Sequence, residues 1–294
     1  MHTASTNPTV SAVPTLTAIP SDPMVAPQRA PIPADLMARI EQAVSGAGSA
    51  EFAVDPLLGP SLSAMTSFLA SVVKRSGGVI EDALYAALVR NRRFLVMQQV
   101  RIPITRAAEM YVQENGASRV QELSLTSDGA SVRIGHFDLI VIDQERSVAM
   151  VIEIKRGSGV TESKKRKATE RDLACARLQL ASYLRTLLGI KLKTYRCHVV
   201  DFYGRSGFRE GLTVTRDGLD ALFGVPVTPT IDAALGALET RMLARVPPLL
   251  QMAQERLADR ASVAPRPRRA SRGALAAMTG SREALPDAAT SAAA

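Results

Sequence analysis

Two short runs separated by a polar turn constrain this chain more than any other feature. They are Gly-His-Phe-Asp-Leu-Ile-Val-Ile-Asp (135–143) and Val-Ile-Glu-Ile-Lys-Arg-Gly (151–157). Residues 133–143 and 148–155 read as strands, and Gln144-Glu145-Arg146-Ser147 between them reads as a four-residue hairpin turn. If Asp143 faces Val148, Asp138 falls directly across from Glu153. A two-residue turn over Glu145-Arg146 keeps that register, whereas a three- or five-residue turn shifts it by one and separates the pair. In register, the two carboxylates have Cβ atoms about 5 Å apart. Lys155, two residues after Glu153, points to the same face. Phe137, Leu139, Val141, Ile152 and Ile154 make both faces largely apolar, as expected for central strands covered on both sides.

Burying carboxylates costs several kcal/mol unless they are paired or bind a metal. Two acids so close repel each other, and a divalent cation between them turns that repulsion into a binding site. The bland alternative is a Glu153–Lys155 pair on a solvated face, with Asp138 an incidental edge charge.

The order of elements around the hairpin predicts an α/β sandwich with a mixed sheet. Helices are expected over 34–45, 60–74 and 79–92, with Ser76-Gly77-Gly78 breaking the chain between the last two. A strand is expected over 94–104 and a mixed stretch over 105–130, with Gly116 and Asp128-Gly129 as turns. A basic loop follows over 157–167, then a long helix over 169–188 closed by Gly189, and a strand over 193–203. A helical segment over 231–260 is expected to be interrupted at Pro247-Pro248. The chain thus divides into a disordered arm (1–33), an N-terminal helical segment (34–75), a core (76–225), a C-terminal helical segment (226–260) and a disordered basic tail (261–294).

Helix periodicity adds two polar candidates. In 79–92, Ile80, Ala83, Leu84 and Ala87 form the apolar stripe, with Glu81 at its border and Asp82 near the opposite side. Glu81 is therefore expected to reach the sheet and Asp82 not. In 169–188, Gln179 and Tyr183 share the stripe of Ala176, Leu180 and Leu187. A buried Gln needs partners: bound waters at a carboxylate cluster, or simply backbone groups at the stripe edge.

Net charge is +8 and the sequence pI is near 9.9, which favours an anionic partner such as nucleic acid. Lys164, Lys165, Arg166 and Lys167, with Arg156, lie in sequence beside the acidic pair, where a phosphate backbone could run. The two cysteines, Cys175 and Cys197, fit a reduced cytoplasmic protein and cannot form a zinc site alone; the three histidines lack metal-ligand spacing. No secretory signal and no membrane-length apolar run is visible, so no membrane partner is expected.

Taken together, Glu81, then Asp138, then Glu153-Ile154-Lys155 resembles the PD-(D/E)xK nuclease superfamily, and Gln179-Leu-Ala-Ser-Tyr183 resembles the Gln-xxx-Tyr motif of its RecB-like branch. The resemblance covers roughly residues 76–205; Phe137 stands where many members have Pro. It implies a restriction-endonuclease-like αβββαβ core with a mixed central sheet and extra N- and C-terminal helices. It further implies Mg²⁺, or Mn²⁺, held by Asp138, Glu153, the Ile154 carbonyl and Glu81. Lys155 would orient the attacking water, Gln179 would position substrate or water, and Tyr183 would support that helix. The expected activity is phosphodiester hydrolysis in DNA, by a homodimer or with a separate partner protein. The alternative is a catalytically silent nucleic-acid-binding or protein-interaction module on the same fold.

Overall fold

The computed structural model describes residues 31–118 and 123–262. The two expected disordered arms lie almost wholly outside these residues. The chain is α/β: α1 (Ala34–Gly48), α2 (Gly59–Val89), β1 (Phe94–Thr105), α3 (Arg106–Asn115), β2 (Ser131–Asp143), β3 (Val148–Lys155), α4 (Ser163–Leu188), β4 (Thr194–Asp201), β5 (Thr213–Val214), α5 (Leu219–Phe223) and α6 (Thr228–Ser262). The strands form one mixed sheet in the order β1-β2-β3-β4-β5. β1, β2 and β3 are antiparallel in sequence, while β4 joins β3, and β5 joins β4, in parallel. The parallel step follows from α4, which carries the chain back across the sheet.

The sheet is apolar on both sides because helices cover both. On one side Leu36, Ile40, Phe68, Ile80 and Leu84 pack with Leu139, Val141 and Ile152. On the other, Leu173, Leu178 and Leu184 of α4 and Ala108 of α3 pack with Ile140, Ile142 and Val151. Each such side chain contributes about 1.5–3 kcal/mol by leaving water, which explains why the central strands carry so few polar residues.

The hairpin forms as the sequence predicts. Leu139 pairs with Ile152, Ile140 with Val151 and Asp143 with Val148 across the four-residue turn. Asp143 fixes that turn: its Oδ1 accepts from the Arg146 N–H at 3.0 Å, and the Arg93 guanidinium clamps both of its oxygens. Ser147 takes a left-handed φ of 55° to re-enter β3.

Four expectations about helices need correction. α2 runs unbroken through Ser76-Gly77-Gly78. Each helical Gly costs about 1 kcal/mol relative to Ala, but Val72, Val79, Ile80, Ala83 and Leu84 bury along one face and outweigh that cost. It also crosses the 75/76 boundary without a break. α4 begins at Ser163, so the basic run occupies its first turns rather than a loop. Four cations at a helix N-terminus oppose the macrodipole. The helix persists because 163–188 contains no Gly or Pro and because Leu173, Cys175, Ala176 and Leu178 are fully buried. α6 likewise passes through Pro247 and Pro248 without interruption; Leu238 and Ala253, buried on either side of them, hold it in place. The mixed stretch contains α3, which Thr105 caps by accepting the Ala108 N–H at 3.3 Å and Gly116 ends with φ 78°.

Candidate functional site

β1 holds the least regular backbone near the hairpin. Gln99 has φ 52°, a left-handed value that costs a non-glycine residue about 1–3 kcal/mol. The β1–β2 ladder skips this residue, running from Gln98↔Leu139 to Val100↔Phe137. Both strands exchange faces here. Phe94 and Val96 pack on the α2 side, whereas Val100, Ile102 and Ile104 pack on the α4 side. In β2, Leu139 packs on the α2 side and Phe137 on the α4 side. Asp138 is the residue opposite the skipped position.

Four of the six side chains predicted to act together meet at this irregularity. Asp138 is half-buried and its Oδ2 accepts the Ile154 backbone N–H at 2.6 Å. One step beyond the last ladder pair, the register puts it opposite Glu153. Lys155 Nζ forms an ion pair with Glu153 Oε1. Glu81 reaches in from α2, where its Oε1 accepts from Gln99 Nε2 at 2.6 Å and from Gln98 Nε2 at 3.2 Å. Asp82 also reaches the sheet, contrary to the helical-wheel expectation: its Oδ1 accepts from Gln98 Nε2 at 3.1 Å. The long Gln98 side chain spans the distance that the short Asp82 cannot.

The electrostatics follow from how closely the acids are gathered. Burial pushes the Glu153 carboxyl up to about 7, the Asp138 charge pushes it further in the same direction, and Lys155 only partly offsets them. Burial also raises Asp138, against the Ile154 N–H, the Lys155 charge and a hydrogen bond from Gln99. Glu81 is raised by burial and by the Asp138 and Asp82 charges, with Gln99 and Gln98 opposing. The three carboxylates therefore sense one another, and each is costly to ionise as the site stands.

Gln98 and Gln99 are the residues that the sequence reading missed. Their signal was two adjacent amides in an otherwise apolar strand, Phe94-Leu-Val-Met-Gln-Gln-Val. Gln179 and Tyr183 stand elsewhere. Gln179 is fully buried, accepting the Thr105 N–H and donating to the Pro103 carbonyl, both at 3.2 Å. Tyr183 donates its hydroxyl to the Arg101 carbonyl at 3.4 Å. Both side chains fasten α4 to β1, and their polar atoms go to backbone rather than to the acids. Lys164, Lys165, Arg166 and Lys167 lie in the first turns of α4, where Lys165 comes within 3.8 Å of Glu162. Arg156 follows β3, its guanidinium 5.4 Å from the centre of the Tyr203 ring.

Oxygen donors in this number suit a hard cation such as Mg²⁺. Among the described residues no group of three or more His, Cys, Asp or Glu is arranged to hold a metal ion. Asp138, Glu153 and Glu81 each turn an oxygen to a protein donor. A cation held by those oxygens would compete for them with Lys155, the two glutamines and the Ile154 N–H. No family model, no curated protein and no solved structure matches this chain. Among the described residues, no helix is long and apolar enough to cross a membrane.

Proposed function

We propose that this chain is a metal-dependent nuclease hydrolysing phosphodiester bonds, with DNA as its substrate. The observation that carries the reading is the meeting of Asp138, Glu153, Glu81 and Lys155 at a strained step in the sheet, with all three carboxylates pushed up by burial and two of them, Glu153 and Glu81, also by the Asp138 charge. The order α2-β1-β2-β3-α4-β4 is consistent with a restriction-endonuclease-like αβββαβ core, in which α3 is an insertion between the first two strands. The positive net charge suits a polyanionic substrate.

In this reading Asp138 and Glu153 would hold the ion, with Glu81 and the Ile154 carbonyl as further oxygen donors. Mg²⁺ or Mn²⁺ supplies a bound water of lowered pKa and positive charge against the transition state. Lys155, freed from Glu153, would hold the attacking water and offset charge on the scissile phosphate. Gln98 and Gln99 keep Glu81 aimed at the pair. Gln179 and Tyr183 position β1, and through it the Gln99 step, without touching substrate.

A second reading, a non-catalytic nucleic-acid-binding module, draws on the partnering of all three carboxylates by protein donors. One experiment separates the two: incubate supercoiled, linear, single-stranded and forked DNA with the protein and Mg²⁺ or Mn²⁺. The nuclease reading expects cleavage that EDTA stops and that Asp138→Ala, Glu153→Ala and Lys155→Ala each abolish while the protein stays folded. Binding unaffected by EDTA, with no strand cut in any form, sinks it in favour of the module.

A further inference from the structure

Beside the acidic site, α2, α6 and the end of β3 enclose a groove of about 530 Å³. Its walls are Val72, Val73 and Ser76 of α2, Leu235, Leu238 and Met242 of α6, and Arg156 with Tyr203. Tyr203 lines the groove and is 44 % exposed, with the Arg156 guanidinium over one face of its ring. The ring has two close neighbours. Its edge-to-face partner Phe202 lies 5.2 Å away, Arg156 sits 5.4 Å from its centroid, and its backbone N–H donates to the Arg156 carbonyl at 3.1 Å. Arg156 follows Lys155 directly in sequence, so the groove opens next to the proposed reacting centre.

α2 connects the two. Val73, Gly77 and Glu81 are spaced four residues apart and follow one face of the helix, from the groove to the acids. Gly78 lies beside them. A Cβ added at Gly77 or Gly78 would meet nothing within 4 Å, so packing does not require glycine at either position. Neither residue has a left-handed φ, so backbone conformation does not require it either. Glycine in a helix interior is less favourable than alanine. What two such glycines do provide is bare helix backbone between the groove and Glu81, over which another chain can pass closely.

We infer that the groove receives an unpaired base of single-stranded DNA, stacked on Tyr203, with the strand crossing Gly77–Gly78 to the acidic site. This rests on the nuclease reading for the identity of the polymer. The composition of the groove fits a base better than a phosphate. Five aliphatic side chains line it beside an aromatic ring and a single arginine, and Glu239 would repel a phosphate while accepting from a base amino group; Asp232 is already held by Arg216. A duplex keeps its bases stacked inside the helix and cannot offer one to this ring.

The test is binding in EDTA, measured by fluorescence anisotropy with a labelled thymidine oligomer and a blunt duplex of equal length. Glu153→Gln serves as the cleavage-deficient parent. Adding Tyr203→Ala should weaken single-strand binding by about 5- to 150-fold, the range for loss of one stacked base, with duplex binding changed less than twofold. Tyr203→Phe should retain the parent affinity. Gly77→Leu should weaken single-strand binding while leaving the melting temperature unchanged or higher, which a merely structural role for the glycine would not produce. Should Tyr203→Ala not fold, Gly77→Leu carries the test alone. The inference is overturned if the parent does not bind the oligomer, if both DNA forms lose affinity equally, or if neither does. Its failure is separate from that of the nuclease reading. Metal-dependent cleavage of single strands with an unchanged KM in Tyr203→Ala sinks the groove and leaves the nuclease standing. Selective single-strand binding without cleavage does the reverse.

Discussion

Removing the charge of Glu153 should change how the stability of the metal-free protein depends on pH. Its side chain is only 15 % exposed, so water screens it poorly. The folded carboxyl sits at about 7, against 4.5 for an unhindered glutamate, because of burial first and the Asp138 charge second. Between those values the folded state keeps a proton that the unfolded state has released. Stability therefore falls as pH rises through this window, by about 1.4 kcal/mol per pH unit, or about 3 kcal/mol in all. For a chain of this size that corresponds to a drop in Tm of about 6–12 °C between pH 5 and 8. Asp138 and Glu81 are raised too and add to the same trend. Urea denaturation of EDTA-treated protein at pH 5, 6, 7 and 8 measures the slope. Glu153→Gln should flatten it and be the more stable protein at pH 8. Mg²⁺ added at pH 8 should recover stability in the wild type and do little in the variant, since the ion offsets the repulsion that the substitution has removed. A wild-type profile that is flat across the window, or one that Glu153→Gln reproduces, refutes the reasoning.

Two further substitutions test the scaffold around the site. Gly157→Ala should destabilise by several kcal/mol, because the new Cβ would lie 1.6 Å from Asp201 Oδ1 at a residue whose φ is 71°; a loss below about 1 kcal/mol in urea melts would contradict the close approach. Gln179→Leu strands the Thr105 N–H and the Pro103 carbonyl in the core and should cost about 2–4 kcal/mol. If Gln179 instead acts on substrate, the same variant would melt like the wild type and lose turnover.

How far the sequence could be read varies from residue to residue. The hairpin was legible because its register depends on an exact period of two and on a short turn, both of them local. Glu81 was legible because a helical stripe border is also local. Asp82 was misplaced because a helical wheel knows nothing of the length of the partner, and it is Gln98 that bridges the gap. The start of α4 was misplaced because four cations look like a solvated loop, while the burial that extends the helix to Ser163 lies further along it. Gln179 was correctly predicted to be buried, and the plainer of its two expected partnerships, with backbone, is the one that formed.

The sequence by itself determined which residues share the hairpin and which of them face one another: alternation and turn length leave one register that buries Leu139, Val141 and Ile152 together. It did not determine where that hairpin points its acids. Phe94, Val96, Val100, Ile102 and Ile104 are all even-numbered, so alternation alone puts them on one face. The structure divides them between two cores, because Gln99 adopts a left-handed backbone that no local preference would select. That conformation persists only because Glu81, from a helix 18 residues earlier, accepts the Gln99 amide and because two packed cores hold β1 on either side of it. The tertiary contacts sustain the strain, and the strained step brings Asp138, Glu153, Lys155 and Glu81 to one place.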